Sequence, residues 1–181
     1  MFYDRGSFDE AKSVITKHGY HYITPLIGSM WHSNHNADCL VSFSDSFGTV
    51  DGSIDGLLLK YYFNFIERTI HDHIKNECFG ELPVGSSFFI DVSERTLTGF
   101  KYLCYTPIKR KIEDHFDANM LHIILRSIFV NSKKHNVESI MIPWLSYGSL
   151  LNQHSKIPDS VITTFIQIVD SVMATIFMTS E

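Results

Sequence analysis

Cysteine is scarce in this chain. Cys39, Cys78 and Cys104 are the only three, each in or beside an apolar run and with no paired spacing. That excludes a disulfide framework and fits buried, reduced thiols in a cytosolic protein. None of the three sits in a polar loop, so nucleophilic cysteine chemistry is not expected. No apolar run approaches the about 18 residues that a membrane span needs. The opening residues MFYDRGSFDE have neither a basic stretch nor an apolar core, so no secretory signal and no membrane partner are expected, and the expected location is cytoplasmic. Basic charge is also in deficit. With 15 Lys and Arg against 20 Asp and Glu, the net charge is −5 and the isoelectric point is near 6.0, which argues against a nucleic-acid surface built on phosphate contacts. Repeats and low-complexity segments are absent. His32, His35 and Cys39 have a spacing that a metal could use, and His71 and His73 form an H-x-H. No fourth ligand accompanies them, however, and residues two apart on a helix do not share a face. Solvated histidines, no metal and no cofactor are the expectation.

What is present reads as an α/β domain. At 181 residues, 44% apolar and 19% charged, the chain is long enough for one domain with a sizeable core, over 1–181. Ser7 to Lys17 predicts a short helix, with Ser7 and Glu10 as a capping box. Tyr20 to Ile27 alternates and is rich in β-formers, predicting an edge strand despite Pro25. Gly28 to Ala37 predicts a loop. From Ile54 to about Lys75, Leu57, Leu58, Tyr61, Tyr62, Phe65, Ile66 and Ile70 recur at spacings of three and four, one continuous helical face. Ser86 to Val92 and Phe100 to Thr106 predict strands, the second ended by Pro107. A helix follows from Asp117, as N-cap, to His135, with Leu121, Ile124, Leu125, Ile128 and Phe129 facing inward. Val137 to Ile142 predicts a strand, and Asp159 to Phe177 a last helix. Strands separated by long helices imply crossover connections and a mainly parallel sheet with helices on both faces.

The stretch from Asp38 to Asp55, DCLVSFSDSFGTVDGSID, is the centre of this pattern. A short apolar run, Cys39-Leu40-Val41, reads as the end of a buried strand. Small and polar residues follow, then a helix start at Ile54. A strand running into a Gly/Ser loop and a helix N-terminus exposes backbone N–H groups and a positive dipole end, which suits an anion. The second such loop, Pro143-Trp144-Leu145-Ser146-Tyr147-Gly148-Ser149, leaves the strand that ends at Ile142. In a parallel sheet the two loops can converge on one crevice at the strand carboxyl ends, with backbone donors on two sides for a diphosphate or a phosphate-linked sugar. Gly48 and Gly52 either let the backbone approach a phosphate or only supply φ > 0 in a tight turn. Asp51 and Asp55 fall in the first helical turn, where a carboxylate favours the dipole; Asp55 could also orient water or a ribose.

With those loops in place, the chain resembles the macro domain family, which recognises ADP-ribose and its derivatives. DCLVSFSDSFGTVDGSIDG is similar to the family's signature, a strand D-x-I-V-N-x-x-N entering a Gly-rich turn. ELPVGSSFFIDV looks like the family's L-x-x-G lead into a strand, and FKYLCYTP resembles the next strand. VESIMIPWLSYGS resembles the second phosphate loop. The match runs in order over nearly the whole chain. Ser42 and Asp45 stand where the signature has Asn, and Gly28-Ser29-Met30 stands where the family has its adenine-side Asp. The resemblance implies a three-layer α/β/α fold with a mixed, mainly parallel central sheet. It implies binding of ADP-ribose or a related NAD-derived nucleotide between the loops that follow strands at 38–43 and 138–142. The first loop would contribute Ser42, Ser44, Asp45, Ser46, Phe47 and Gly48, then Val50, Asp51, Gly52, Ser53 and Ile54. The second would contribute Leu145, Ser146, Tyr147, Gly148 and Ser149, with Ser29 and Met30 near the adenine. Two alternatives stay open: an ADP-ribosyl hydrolase in which Asp55, with Asp45, orients water, and a degenerate module that serves as an interaction domain for a protein partner.

Overall fold

Seven consecutive residues, Cys39–Asp45, form strand β1, and every one of them is buried. The structure, a computed structural model, describes residues 2, 5–28, 37–49, 64–95, 99–144 and 159–178. Among these, β1 stands inside a four-stranded sheet of order β2-β3-β1-β4, where β2 is Phe88–Asp91, β3 is Tyr102–Lys109 and β4 is Ile140–Met141. β1 runs parallel to both β3 and β4, and β2 pairs antiparallel with β3. The sheet is therefore mixed and mainly parallel.

Alternation along β1 sends its residues into two separate cores. Leu40, with Leu103 and Tyr105 of β3, packs under helix α2 (Asn64–Glu77) through Ile66, Ile70 and Ile74. Cys39, Val41 and Phe43, with Cys104 and Ile108, pack under α3 (Leu121–Lys134) and α4 (Asp159–Met173). The inward positions expected for α3, Leu121, Ile124, Leu125, Ile128 and Phe129, are all buried. Asp117 caps the 3₁₀ turn Ala118–Met120 that leads into α3, accepting from Asn119 N–H at 2.9 Å. Helix α1 (Arg5–His18) lies outside α4, where Ala11, Phe2, Trp144, Ile162 and Ile166 form a third cluster. The result is a three-layer α/β/α arrangement. No helix among the described residues is long and apolar enough to cross a membrane.

Several local expectations give way. Helix α1 begins at Arg5, so Ser7 lies within its first turn instead of preceding it. Tyr20 to Ile27 forms no strand; its one ladder contact is an isolated bridge between Phe2 and Ile27. Without a longer neighbour its alternation has nothing to pair with. β4 is only two residues long. Pro107 does not end β3, which continues to Lys109. Its carbonyl accepts from Gly85 N–H at 3.1 Å, on the side where β2 has already finished, so the N–H that proline lacks would have no strand to meet. Residues 54–63 of the first long helical pattern lie outside the described residues, as do Tyr61, Tyr62 and Phe63 of the aromatic run.

The amino end of β1 is fastened by Asp38. One carboxylate oxygen meets Lys101 Nζ at 2.6 Å; the other accepts from Glu138 N–H, Ser139 N–H and Ser139 Oγ at 3.0–3.1 Å. Lys101, then the Glu138 and Ser139 bonds, hold this carboxyl below the usual carboxylate range against partial burial. A depressed folded value means that the contribution is complete above about pH 4 and is lost as pH falls through the folded value. Asp38→Asn is expected to cost about 1 kcal/mol at pH 7, allowing for solvent access. Urea titrations at several pH values should show that difference shrinking below about pH 4; a constant difference would rule out the ionised carboxylate as its source.

Candidate functional site

The carboxyl end of β1 is where polar residues enter the core. Ser42, Ser44 and Asp45 belong to the strand and not to the loop, a correction to the expected loop start. Their partners on β3 are Tyr105, Pro107 and Lys109, with a bulge between Ser44 and Asp45. Pairing with β3 outweighs the low strand preference of Ser and Asp. The extra residue, Ile108, lies on β3, so Asp45 is paired with Lys109 at the sheet's end.

Asp45 folds the loop around itself. Its Oδ1 accepts from Phe47 N–H at 2.9 Å and Thr49 N–H at 3.1 Å, an Asx-type turn that substitutes for strand pairing. Its carbonyl accepts from the buried Tyr105 hydroxyl at 2.8 Å. Ser46 N–H donates to the Arg110 carbonyl at 3.0 Å, and Ser46 O accepts from Leu82 N–H at 2.9 Å. Arg110 in turn forks onto Glu81, both bonds 2.8 Å, and lies 5.2 Å from the Phe47 ring centre. The guanidinium holds the Glu81 carboxyl below its ordinary range. Gly48 passes against α2 with φ +78°, a conformation that favours glycine.

This arrangement changes what the loop offers. Of the four N–H groups from Ser46 to Thr49, those of Ser46, Phe47 and Thr49 already have acceptors within the protein. The expected row of backbone donors is thus largely occupied over this part of the loop. What stands open is on the side chains. Asp45 Oδ2 and Ser46 Oγ have no hydrogen-bond partner, although Asp45 is 1% exposed and Ser46 0%. Buried polar atoms are ordinarily satisfied, and an unpartnered pair on consecutive residues calls for an explanation. Trp144 Nε1, buried between Phe2 and Phe165 just before the second loop, is a third such atom.

Of the residues expected to bind ligand, Ser42, Ser44, Asp45, Ser46, Phe47 and Gly48 are brought together at this end of the sheet. Val50, Asp51, Gly52, Ser53, Ile54 and Asp55 lie outside the described residues, as do Ser29, Met30, Leu145, Ser146, Tyr147, Gly148 and Ser149. Tyr105, Lys109, Arg110 and Glu81 were not anticipated. Ending β3 at Pro107 hid the last two residues before the turn, although parallel neighbours finish side by side. His71 is exposed and borders Gly48. His73 is only partly solvated: it stacks on Phe88 at 3.9 Å, and burial pushes its pKa down. Cys39 and Cys104 are fully buried; the hydrogen bond between them and then burial push the Cys39 thiol far up, so it stays protonated. No group of three or more His, Cys, Asp or Glu among the described residues is placed to hold a metal.

No protein-family model and no curated protein sequence matches the chain. Solved structures do. The macrodomain of Thermus aquaticus DarG superposes with a TM-score of 0.62 at 16% identity, covering 83% of this chain and 89% of that one. The chain has the macrodomain fold. The macrodomain of Mycobacterium tuberculosis DarG agrees, with a TM-score of 0.61 at 17% identity over 82% of this chain and 87% of that one. A glycine-to-valine mutant of the Oceanobacillus iheyensis macrodomain, with ADPR, gives 0.58 at 16% identity over 76% and 71%. At such identities the likeness carries the macrodomain architecture, and the site stands on its own side chains. In that architecture the Asp45–Ser46 pair sits at the carboxyl end of an inner parallel strand, the place where open α/β sheets receive ligands.

Proposed function

We propose that this protein binds ADP-ribose or a related NAD-derived nucleotide in a crevice between the loops that follow β1 and β4. The observation that carries the reading is the pair of buried, unpartnered oxygens, Asp45 Oδ2 and Ser46 Oγ. Together they offer an acceptor and a hydroxyl able to donate or accept, a set that suits sugar hydroxyls. The macrodomain fold supports it, as does ADPR in the Oceanobacillus iheyensis macrodomain mutant of the same fold. Ser42, Ser44, Phe47 and Gly48 shape the crevice beside that pair. Val50 to Ile54 and Leu145 to Ser149 supply the backbone donors for the diphosphate, and Ser29 and Met30 border the adenine.

A ligand that binds only the folded state stabilises it by RT ln(1 + [L]/Kd), about 1.4 kcal/mol at a tenfold excess over Kd. Thermal unfolding with ADP-ribose, NAD, AMP and polymeric ADP-ribose should show a concentration-dependent rise in Tm with ADP-ribose. A flat response to all four would remove the binding reading and favour an interaction module without a nucleotide.

A further inference from the structure

We infer that His73 is a positioning residue for the candidate site: its neutral ring holds Phe88 and Tyr105 in place behind Asp45, and its protonation loosens them and weakens nucleotide binding. The inference rests on the binding reading above and adds to it a dependence on pH.

The contacts form an unbroken line from α2 to the end of β1. The His73 ring lies nearly parallel to that of Phe88, with centres 3.9 Å apart and planes 16° apart. Phe88 is the register partner of Tyr105, and their rings pack at 5.7 Å. Tyr105 is 1% exposed, and its hydroxyl donates to the Asp45 carbonyl. His73 and Phe88 are only partly buried, so the outer end of this line can open to water while the inner end stays in the core. Protonation acts at that outer end. A charged imidazole is poorly solvated there, and burial already holds the His73 pKa below the ordinary imidazole value. Glu77, one turn further along α2, works the other way without overcoming it. Among the described residues Glu77 is the only charged side chain that moves this value; the groups facing His73 from β2 and β3, Phe88 and behind it Tyr105, are uncharged. The neutral ring therefore stabilises the fold fully above about pH 6.5, and that contribution is lost as pH falls below it. A protonated ring that turns out to water removes one side of the Phe88 packing, and Tyr105 loses a neighbour that fixes its own ring. A second route reaches the same loop from α2, since Ile70, one turn before His73, packs against Gly48.

The free protein reads the coupling without any ligand. In an NMR titration from about pH 8 to about pH 5, the Tyr105 ring and the Ser46 and Phe47 amides are expected to shift with the midpoint of the His73 ring. His73→Phe keeps a ring on Phe88 and removes the charge; it should abolish that shared transition and leave the fold at neutral pH intact. His71 is exposed and borders Gly48, a second imidazole beside the loop, so His71→Gln is the control and should keep the transition. Tyr105 and amide signals that ignore His73, or a transition that survives His73→Phe, would overturn the inference. So would its loss in His71→Gln. Calorimetry adds the ligand. The diphosphate of ADP-ribose is esterified at both ends and keeps its charge over this range. Wild type should bind ADP-ribose about fivefold or more weakly at about pH 5 than at about pH 7.5, and His73→Phe should change less than about twofold. Linkage is reciprocal, so a coupling of about fivefold lowers the His73 midpoint by about 0.7 pH unit at saturating ADP-ribose, a shift that a merely structural role would not produce. Equal wild-type affinity at both pH values would overturn the inference. Failure of ADP-ribose to bind at either pH would instead overturn the binding reading, while the free-protein titration still decides whether His73 positions the residues behind Asp45.

Discussion

Replacing Gly48 with valine is expected to destabilise the protein by about 2–5 kcal/mol, from left-handed backbone strain and overpacking together. At φ +78° a side chain is strained whatever the space, and here there is none. A Cβ would lie 2.8 Å from Ile70 Cγ2 and 3.0 Å from His71 Cδ2. Ile70 is 1% exposed within the core under α2 and cannot swing away. Chemical denaturation measures the total, and a double-mutant cycle separates its sources. Ile70→Ala alone should cost about 2–5 kcal/mol as a buried truncation. Combined with Gly48→Ala it should be less than additive by at least about 0.5 kcal/mol, because the overlap disappears. Strict additivity would locate the whole cost in the backbone. Position gives the binding consequence: Gly48 is three residues beyond Asp45, so a displaced loop loses the turn that Asp45 holds.

The second large effect is expected from Asp45→Ala. Truncation strips two backbone N–H groups of their acceptor, and the net loss is about 1–3 kcal/mol. Removing the unpartnered Oδ2 offsets part of that cost. Asp45→Asn retains the Oδ1 acceptor and should stay within about 1 kcal/mol of wild type. Hydrogen exchange distinguishes the two: the Phe47 and Thr49 amides should lose protection in Asp45→Ala and keep most of it in Asp45→Asn. Equal loss in both variants would show that the turn is held by something other than Oδ1.

The contrast between these residues also shows what the sequence could reveal. α3 and α4 were legible because their apolar residues recur at helical spacing, and that face is the one buried. The two-sided sheet was legible because strands separated by long helices leave few other arrangements. β1 was legible only at Cys39-Leu40-Val41. Ser42, Ser44 and Asp45 have poor strand preference, and their strand conformation comes from β3, a partner more than fifty residues away in the chain. The same long-range origin hid the bracing of the site. Asp45, Ser46 and Gly48 could be named from a local strand–loop pattern. Nothing near Arg110 or Glu81 marks them as supports for residue 47, and Tyr105 reads locally as one more aromatic strand residue.

The central position of β1 has a kinetic consequence. Asp38 is fastened to Ser139, 101 residues later, and the pairing of Cys39 with Ile140 has a similar span. During synthesis at about 5–20 residues per second, β1 would wait on the order of 5–20 s before β4 emerges to cover its second edge. Sheets closed by such distant contacts form slowly, since the chain loses loop entropy before the pairing rewards it. The hydroxyls and carboxylate that make the far half of β1 a poor strand on its own keep that waiting edge from being a continuous apolar template. The residues proposed to greet a nucleotide would thus also guard the nascent chain against pairing with the wrong neighbour.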